Sequence, residues 1–368
     1  MDFPIIFEKK ECAFMSDANL SRRTKVRIVF GGTDITEDIM PYFLSLTCTD
    51  NEEGEADDLQ IQIQDRDGLW MENWLAEAVE AASAAALKIN AEIIRRNWHS
   101  DGKDDVFPCG EFELDSVDAS GPPSVVTIKA TALPFSSQIR QTRKSRAWES
   151  YRLSGIARET AGANGMQCLY EAAADPFYKR LEQLKTSDIQ FLSKLCKDAG
   201  ISLKATDGLL VLFDQTIYEK REPALTLCRG GGTYSKYKLA SGAAGTQYAS
   251  CRVRYVDPAS GARIEGIAKT DDYNEDATNN QQLEVFAKVS SVGEAKALAE
   301  KRLRLHNKFA RTAAFTLPGN PALAAGVTVL LDKFGGWDGK YIVSQAKHTV
   351  KPSGYTTDIQ LRRCLEGY

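Results

Sequence analysis

Residues 315–362 constrain the chain most, because Gly and Pro cut them into pieces too short for ordinary helices. The run reads FTLPGNPALAAGVTVLLDKFGGWDGKYIVSQAKHTVKPSGYTTDIQLR. Phe315 and Leu317 lead into Pro318, Gly319, Asn320 and Pro321, a strand ended by a turn. After Gly326, Val327, Val329 and Leu331 alternate with Thr328 and Leu330, as on a mostly buried strand. Gly335, Gly336, Trp337, Asp338 and Gly339 make a tight reversal, since Gly tolerates positive φ. Tyr341, Val343 and Gln345 open the return strand, and beyond Pro352, Ser353 and Gly354 another strand runs over 355–361. Four short antiparallel strands with Gly/Pro corners predict a small β-barrel or a sandwich edge.

Period-two patterning recurs near the N-terminus. After a polar lead-in over 1–23, Val26, Ile28 and Phe30 share one face of a strand, and a second strand runs over 43–50. Beyond an acidic loop, Leu59, Ile61 and Ile63 point one way and Gln60, Gln62 and Gln64 the other. That Gln face suits a wet surface, or an interface that hydrogen-bonds without charge. Further strands are expected over 87–93, 109–115 and 125–130, the last after the hard turn at Gly121, Pro122 and Pro123. The Ala-rich stretch 76–86 has strong helix propensity and reads as a solvated surface helix.

The middle changes period. Trp148, Leu153, Ile156, Ala157 and Thr160 predict a helix over 148–161, capped by Ser145 and stopped by Gly162 or Gly165. A second helix is predicted within 183–200, capped at Ser187, with Ile189, Leu192, Leu195, Cys196 and Ala199 on one face and Gly200 as its stop. A hairpin turns at Asp207 and Gly208. From about Pro223 the chain is β again, with strands at 250–256 and 262–268. Ser291 and Glu294 form a capping box opening a helix to about Asn307. Its Lys296, Glu300, Lys301 and Arg304 read as a solvated, salt-bridged face. The fold expected is α+β, mainly β: two similar small β-barrel domains enclosing a small α/β domain. The boundaries are 1–133 (with a helical insertion near 75–87), 134–222, and 223–368 (with a helix near 291–308).

The 368 residues suffice for two or three domains. A net charge of −4 gives no bulk attraction to nucleic acid or an acidic membrane. No apolar run of about 18 residues occurs, and the start MDFPIIFEKKECAF lacks a secretory pattern. Cys12, Cys48, Cys109, Cys168, Cys196, Cys228, Cys251 and Cys364 form no CxxC pair and read as reduced, small apolar residues. No metal-ligand spacing and no cofactor motif is present, and no catalytic constellation stands out. Ser187 and Asp188 are explained by capping, and His348 by a hydrogen-bonding role on a strand. Asp65 and Asp67 lack the ligand count of a calcium loop. Gly230, Gly231 and Gly232 lack the Lys-Ser/Thr of a phosphate cradle. The basic run 140–146 reads as a linker or a partner-facing patch.

The order Gly319, Asn320, Pro321, Gly326, Asp338, Gly339, Tyr341, His348, Gly354, Tyr355 resembles the phage late control D family, the central baseplate hubs of contractile tails and related injection systems. Asp57-Asp58-Leu59, Asp65-Arg66-Asp67-Gly68 with Trp70, Cys109-Gly110 with Phe112, and Gly121-Pro122-Pro123 agree with its first barrel. Gln183, Ser187-Asp188, Phe191-Leu192, Gly200 and Asp207-Gly208-Leu209-Leu210 resemble its middle segment, which type VI secretion spikes share. In that family a shorter loop is expected where 75–87 stands.

The resemblance implies a non-enzymatic homotrimer between a hexameric tail tube and a trimeric central spike on a separate chain. Other baseplate proteins and the tape measure protein are further candidate partners. No membrane and no specific nucleic acid is expected, although DNA could pass through the lumen. The implied place is the virion's tail baseplate, assembled in the bacterial cytoplasm. Gln60, Gln62 and Gln64 are then candidate lumen or interface residues. Gly319, Asn320, Pro321, Gly326, Asp338, Gly339 and Gly354 are candidate turn residues. Two other readings stand beside this one. Trp70, Trp74 and Trp98 clustered at a groove would mark a carbohydrate- or peptide-binding module. Lytic activity on peptidoglycan would mark a cell-wall hydrolase.

Overall fold

A computed structural model describes residues 21–74, 87–98, 102–132, 139–140, 142–206, 208–242, 247–258, 260–271, 273–276 and 280–365. The helix expected at 76–86 lies outside these residues. The first β half comprises β1 (Arg23–Phe30), β2 (Thr33–Asp34), α1 (Thr36–Ile39), β3 (Phe43–Asn51), β4 (Asp58–Gln64), β5 (Lys88–Arg96), β6 (Asp104–Ser120) and β7 (Val125–Thr131). The middle unit comprises β8 (Lys144–Arg152), α2 (Leu153–Ala163), β9 (Gln167–Glu171), β10 (Phe177–Thr186), α3 (Asp188–Ala199), β11 (Ser202–Thr206), β12 (Leu209–Phe213) and α4 (Gln215–Glu219). The remainder comprises β13 (Leu225–Cys228), β14 (Lys236–Ser241), β15 (Ser250–Val256), β16 (Arg263–Lys269), β17 (Gln282–Phe286), α5 (Val292–Asn307), β18 (Arg311–Pro318), β19 (Thr328–Asp332), β20 (Gly339–Lys351) and β21 (Gly354–Arg363). The chain is α+β and mainly β.

Among the described residues, thirteen strands share one sheet. Its main path is β14–β18–β21–β20–β3–β4–β7–β6–β5–β1–β2, with β19 on β20 and β13 on β19. Among the described residues this sheet closes no barrel. Its two halves repeat one strand order. In the first, the neighbours run β3–β4–β7–β6–β5–β1; in the second, β14–β18–β21–β20–β19–β13. Chain order matches too, and only the last pairing differs: β1 is antiparallel to β5, whereas β13 is parallel to β19. The halves join where β20 leaves β19 after Ile342 and pairs with β3 from Gln345. At that handover the register of β20 against β21 slips, as a bulge requires.

Among the described residues, four hydrophobic cores result. One lies in the first half around Ile28, Leu46, Ile61 and Ile128. The middle unit has its own around Trp148, Ile156, Leu192 and Leu212. A third lies around Phe315, Tyr341 and Leu361. The fourth is separate: α5 covers the three-stranded sheet β16–β15–β17.

One helix expectation is corrected and another stands. The helix predicted over 148–161 begins only at Leu153, with Arg152 at its N-cap and no side-chain cap. Trp148 lies on β8, opposite Leu181 of β10. It is buried there, with the Arg146 guanidinium 3.8 Å from its ring centroid. Cross-strand burial of the large ring outweighed its helical spacing to Leu153. Gln183 belongs to β10, and α3 starts after Ser187, where its cap was expected. The Ser187–Gln190 capping box and left-handed Gly200 at the far end are present. The face of α5 expected in solvent is exposed at Lys296 and salt-bridged as expected, but it is corrected at Lys301 and Arg304. Its Lys301 donates to Asp214 at 2.7 Å, and Arg304 pairs with Glu219, so that side docks on the middle unit.

Candidate functional site

The alternation of β4 turns Leu59, Ile61 and Ile63 into the core and leaves Gln60, Gln62 and Gln64 half-buried on the opposite face. Register extends that face across both halves. Gln60 lies beside Thr47 on β3 and Lys129 on β7, and Gln62 beside Ser45 and Thr127. Across the seam, Asn51, Thr49 and Thr47 of β3 face Gln345, Lys347 and Thr349 of β20. These meet Gln360, Asp358 and Thr356 of β21, and Asp358 in turn faces Thr316 of β18. The result is a polar sheet surface rich in amides and hydroxyls. Its side chains bond laterally. Ser45 donates to Gln62 Oε1 at 2.9 Å, Gln345 to Asn51 Oδ1 at 2.8 Å, and Gln360 to Gln345 Oε1 at 2.8 Å. Such ladders hold amides flat on the sheet. Gln64 accepts from Arg66 at the strand end.

The turn residues form two groups. Gly319, Asn320, Pro321 and Gly326 lie in the loop between β18 and β19, beside Gly354 at the β20–β21 turn. Gly319 N–H donates to the Tyr355 carbonyl at 2.9 Å, and a Cβ on Gly319 would run into the Tyr355 ring. The same loop reaches the first half. Arg95 donates to the Gly319 carbonyl at 3.1 Å, and Ala325 N–H donates to Asp50 at 2.8 Å. Asp338 and Gly339 sit at the opposite end of β20, where Asp338 accepts from Phe334 N–H at 2.6 Å. Gly339 and Gly354 hold φ of 130° and 137°, and Gly326 holds 83°. Those values favour glycine.

His348 is fully buried at this clasp. Its Nε2 lies 2.9 Å from the Leu323 carbonyl and its Nδ1 2.7 Å from the Tyr355 hydroxyl. A carbonyl can only accept, so Nε2 carries the proton and Nδ1 accepts. Burial lowers its pKa and keeps the ring neutral. The Phe107 ring of the first half lies 4.6 Å away, centroid to centroid. His348 therefore has the hydrogen-bonding role expected of it.

A second junction was not visible in the sequence. Arg362, with no exposed side-chain surface, donates to Glu52 at 2.8 Å and to Glu219 at 2.6 Å. Arg304 pairs with Glu219, and Lys308 with Glu53. Gln215 donates to Glu53 at 2.9 Å, and Ser202 also bonds it. Lys204 pairs with Asp50 and lies 3.5 Å from Asp57. Burial pushes the Asp57 carboxyl up to about 6. The acidic loop 50–57 thus threads among both β halves, the middle unit and α5. Its partners lie far along the chain, so only its acidity was legible.

Other sequence candidates have structural roles. Asp65 is buried and accepts from Trp70 and Met71 N–H, closing a turn. Arg140, Lys144 and Arg146 pair with Asp115, Asp188 and Glu159. Trp70 packs edge-on to Tyr42, whereas Trp98 lies against Arg22 and Arg95. The Trp74 side chain lies outside the described residues. Cys48, Cys109, Cys168, Cys196, Cys228, Cys251 and Cys364 are free thiols. Among the described residues no cluster could hold a metal, and no helix is long and apolar enough to cross a membrane.

A family model described as phage tail baseplate hub (GPD) matches residues 117–354. The chain is 25% identical over 252 residues to a probable baseplate hub protein of Escherichia phage P2, covering 67% of this chain. The match spans 60% of that relative's length. Among solved structures, a tail protein from Neisseria meningitidis MC58 superposes with a TM-score of 0.65 at 12% identity, over 92% of this chain and 96% of that one. The prophage MuSo2 43 kDa tail protein from Shewanella oneidensis gives 0.62 at 12% identity, over 93% and 97%. These two share the fold.

Proposed function

Because the chain belongs to the phage tail baseplate hub (GPD) family, we propose that it is the structural hub of a contractile tail's baseplate. In this reading it is a homotrimeric adaptor joining a hexameric tail tube to a trimeric central spike. The observation that carries the proposal is the repeated strand order of the two β halves. A closed ring of three identical chains has three equivalent positions. If each chain offers two similar barrel-like units, within 1–133 and 223–368, three chains present six to the tube. The opposite side stays three-fold for the spike, and the α/β unit of 134–222 bridges the two.

The polar face suits the wall of a wet lumen. Gln62, Gln345 and Gln360 bond to neighbouring amides and hydroxyls, and with Lys129 paired to Asp118 and Lys347 set opposite Asp358 the face offers passing DNA no continuous basic wall. The work is assembly through surfaces, in the virion's baseplate, after production in the bacterial cytoplasm. Other baseplate proteins and the tape measure protein are further partners. The binding-module reading gains nothing from Trp70 and Trp98, each engaged with different neighbours.

Native mass spectrometry of the purified chain and a symmetry-relaxed reconstruction of the baseplate test the proposal. A trimer, and three copies per particle, are expected. Six copies per ring, or a monomer that joins neither tube nor spike, would overturn it.

A further inference from the structure

The sheet β16–β15–β17 is an outer layer of the molecule. Its inner face meets α5 so closely that a Cβ on Gly266 would stand 2.4 Å from the Ala295 carbonyl carbon. The far side of α5 is fastened to the middle unit by Lys301 to Asp214, by Arg302 to the Lys197 carbonyl at 2.6 Å, and by Arg304 to Glu219. Middle unit, helix and sheet therefore stack in that order, and the second face of the sheet turns outward. A sheet with one wet face ordinarily shows polar residues there. This one shows Phe286, 77% exposed, with Val256 at 55% and Ile267 at 40%.

Charge on this face is lopsided. A cleft of about 680 Å³ is lined by Arg252, Arg254, Arg263 and Lys288 together with Val256 and Phe286. Glu265 also lines it, and Glu284 lies beside it. Arg252 and Arg254 each sit between Glu265 and Glu284, at 2.8 to 3.9 Å, which fixes both guanidinium groups across the sheet. Arg252 Nε is enclosed without an acceptor. Among the described residues, Arg263 and Lys288 make no ion pair. The chain as a whole carries −4, so a cationic, apolar-rimmed cleft is a local feature.

We propose that this face docks an acidic segment of another protein, whose carboxylates meet Arg263 and Lys288 while its apolar side chains cover Phe286 and Val256. Charge complementarity selects the partner. A second copy of the same face would bring cations against cations. A nucleic-acid backbone favours an unbroken basic groove with aromatic stacking platforms; here Glu265 and Glu284 interrupt the cations, and aliphatic residues flank the single exposed ring. The inference needs neither the ring nor the polar face, so it stands or falls separately from the hub proposal.

Fluorescence anisotropy of the purified full chain tests it. The probes are a short labelled peptide alternating Glu and Leu, its Lys and Leu counterpart, and a single-stranded DNA oligonucleotide. The acidic peptide should bind saturably. Phe286→Ser and Arg263→Glu, each at an exposed position, should weaken it about tenfold or more with unchanged melting. The proposal is overturned if the acidic peptide fails to bind, binds both variants as it binds the parent, or binds more weakly than either other probe. Self-association of the parent chain in sedimentation velocity, abolished by Phe286→Ser, would overturn it in favour of a second copy.

Discussion

At the scale of single residues, Gly319 shows how a turn signature can conceal a packing requirement. Its sequence context, between Pro318 and Asn320, explains a turn but does not single out glycine. A Cβ there would stand 1.9 Å from Tyr355 Cδ1, and Tyr355 is held in place by His348. Gly319→Ala should therefore cost about 1–3 kcal/mol through overpacking. Gly336→Ala, in the other predicted turn, has nothing within 4 Å and should change stability by less than about 0.5 kcal/mol. Chemical denaturation of the two variants side by side checks this; equal stability would mean the Tyr355 ring moves freely. The glycine was legible, whereas the ring over it was not, because Tyr355 comes from a different strand.

At the scale of elements, local signals worked where both partners lie within a few residues. Ser187 and Gln190 cap α3, Ser291 accepts from Glu294 N–H at the start of α5, and Gly200 ends α3 in the left-handed region. They failed where an element's neighbour decides its form, as for Trp148 on β8. Gly266 belongs to this second kind. Its would-be Cβ meets the backbone of α5, 2.3 Å from Lys296 N, and a helix backbone cannot swing aside as a side-chain tip can. Gly266→Ala should lift α5 from the sheet and open the core that buries Cys251. Burial pushes that thiol up to about 11, so it should react slowly in the parent and faster in the variant. Mass-spectrometric mapping of maleimide labelling at Cys251 measures this. Unchanged labelling would show that the helix and sheet absorb the methyl group.

At the scale of the whole molecule, the β3–β20 seam and the ion cluster around Arg362 tie the cores together. Arg362 reaches Glu52 of the first half and Glu219 of the middle unit from the last strand of the chain. Arg362→Met leaves both carboxylates in a buried place with one fewer cation, which should cost about 3–5 kcal/mol. Adding Glu52→Gln should recover part of that loss, because the double variant buries one charge fewer. A double-mutant cycle in denaturant reads the coupling. An Arg362→Met chain as stable as the parent would show that the seam and the loop 319–326 hold the halves without the cluster.

The sequence by itself determined the alternation of β4, with Gln60, Gln62 and Gln64 opposite its core face. It also determined the corners at Gly326, Gly339 and Gly354 and the caps of α3 and α5. Each of these rests on backbone geometry or on side chains a few positions apart, so the information is local. The tertiary structure alone decided that β20 passes from β19 to β3, carrying one polar face across both halves. It also decided that the acidic loop is buried against cations of other units, and that α5 serves the β16–β15–β17 sheet with its charged side turned inward. These depend on pairings between residues as far apart as Glu52 and Arg362. No local periodicity encodes such a partner, and burial strengthens an ion pair only once the fold has excluded water from it.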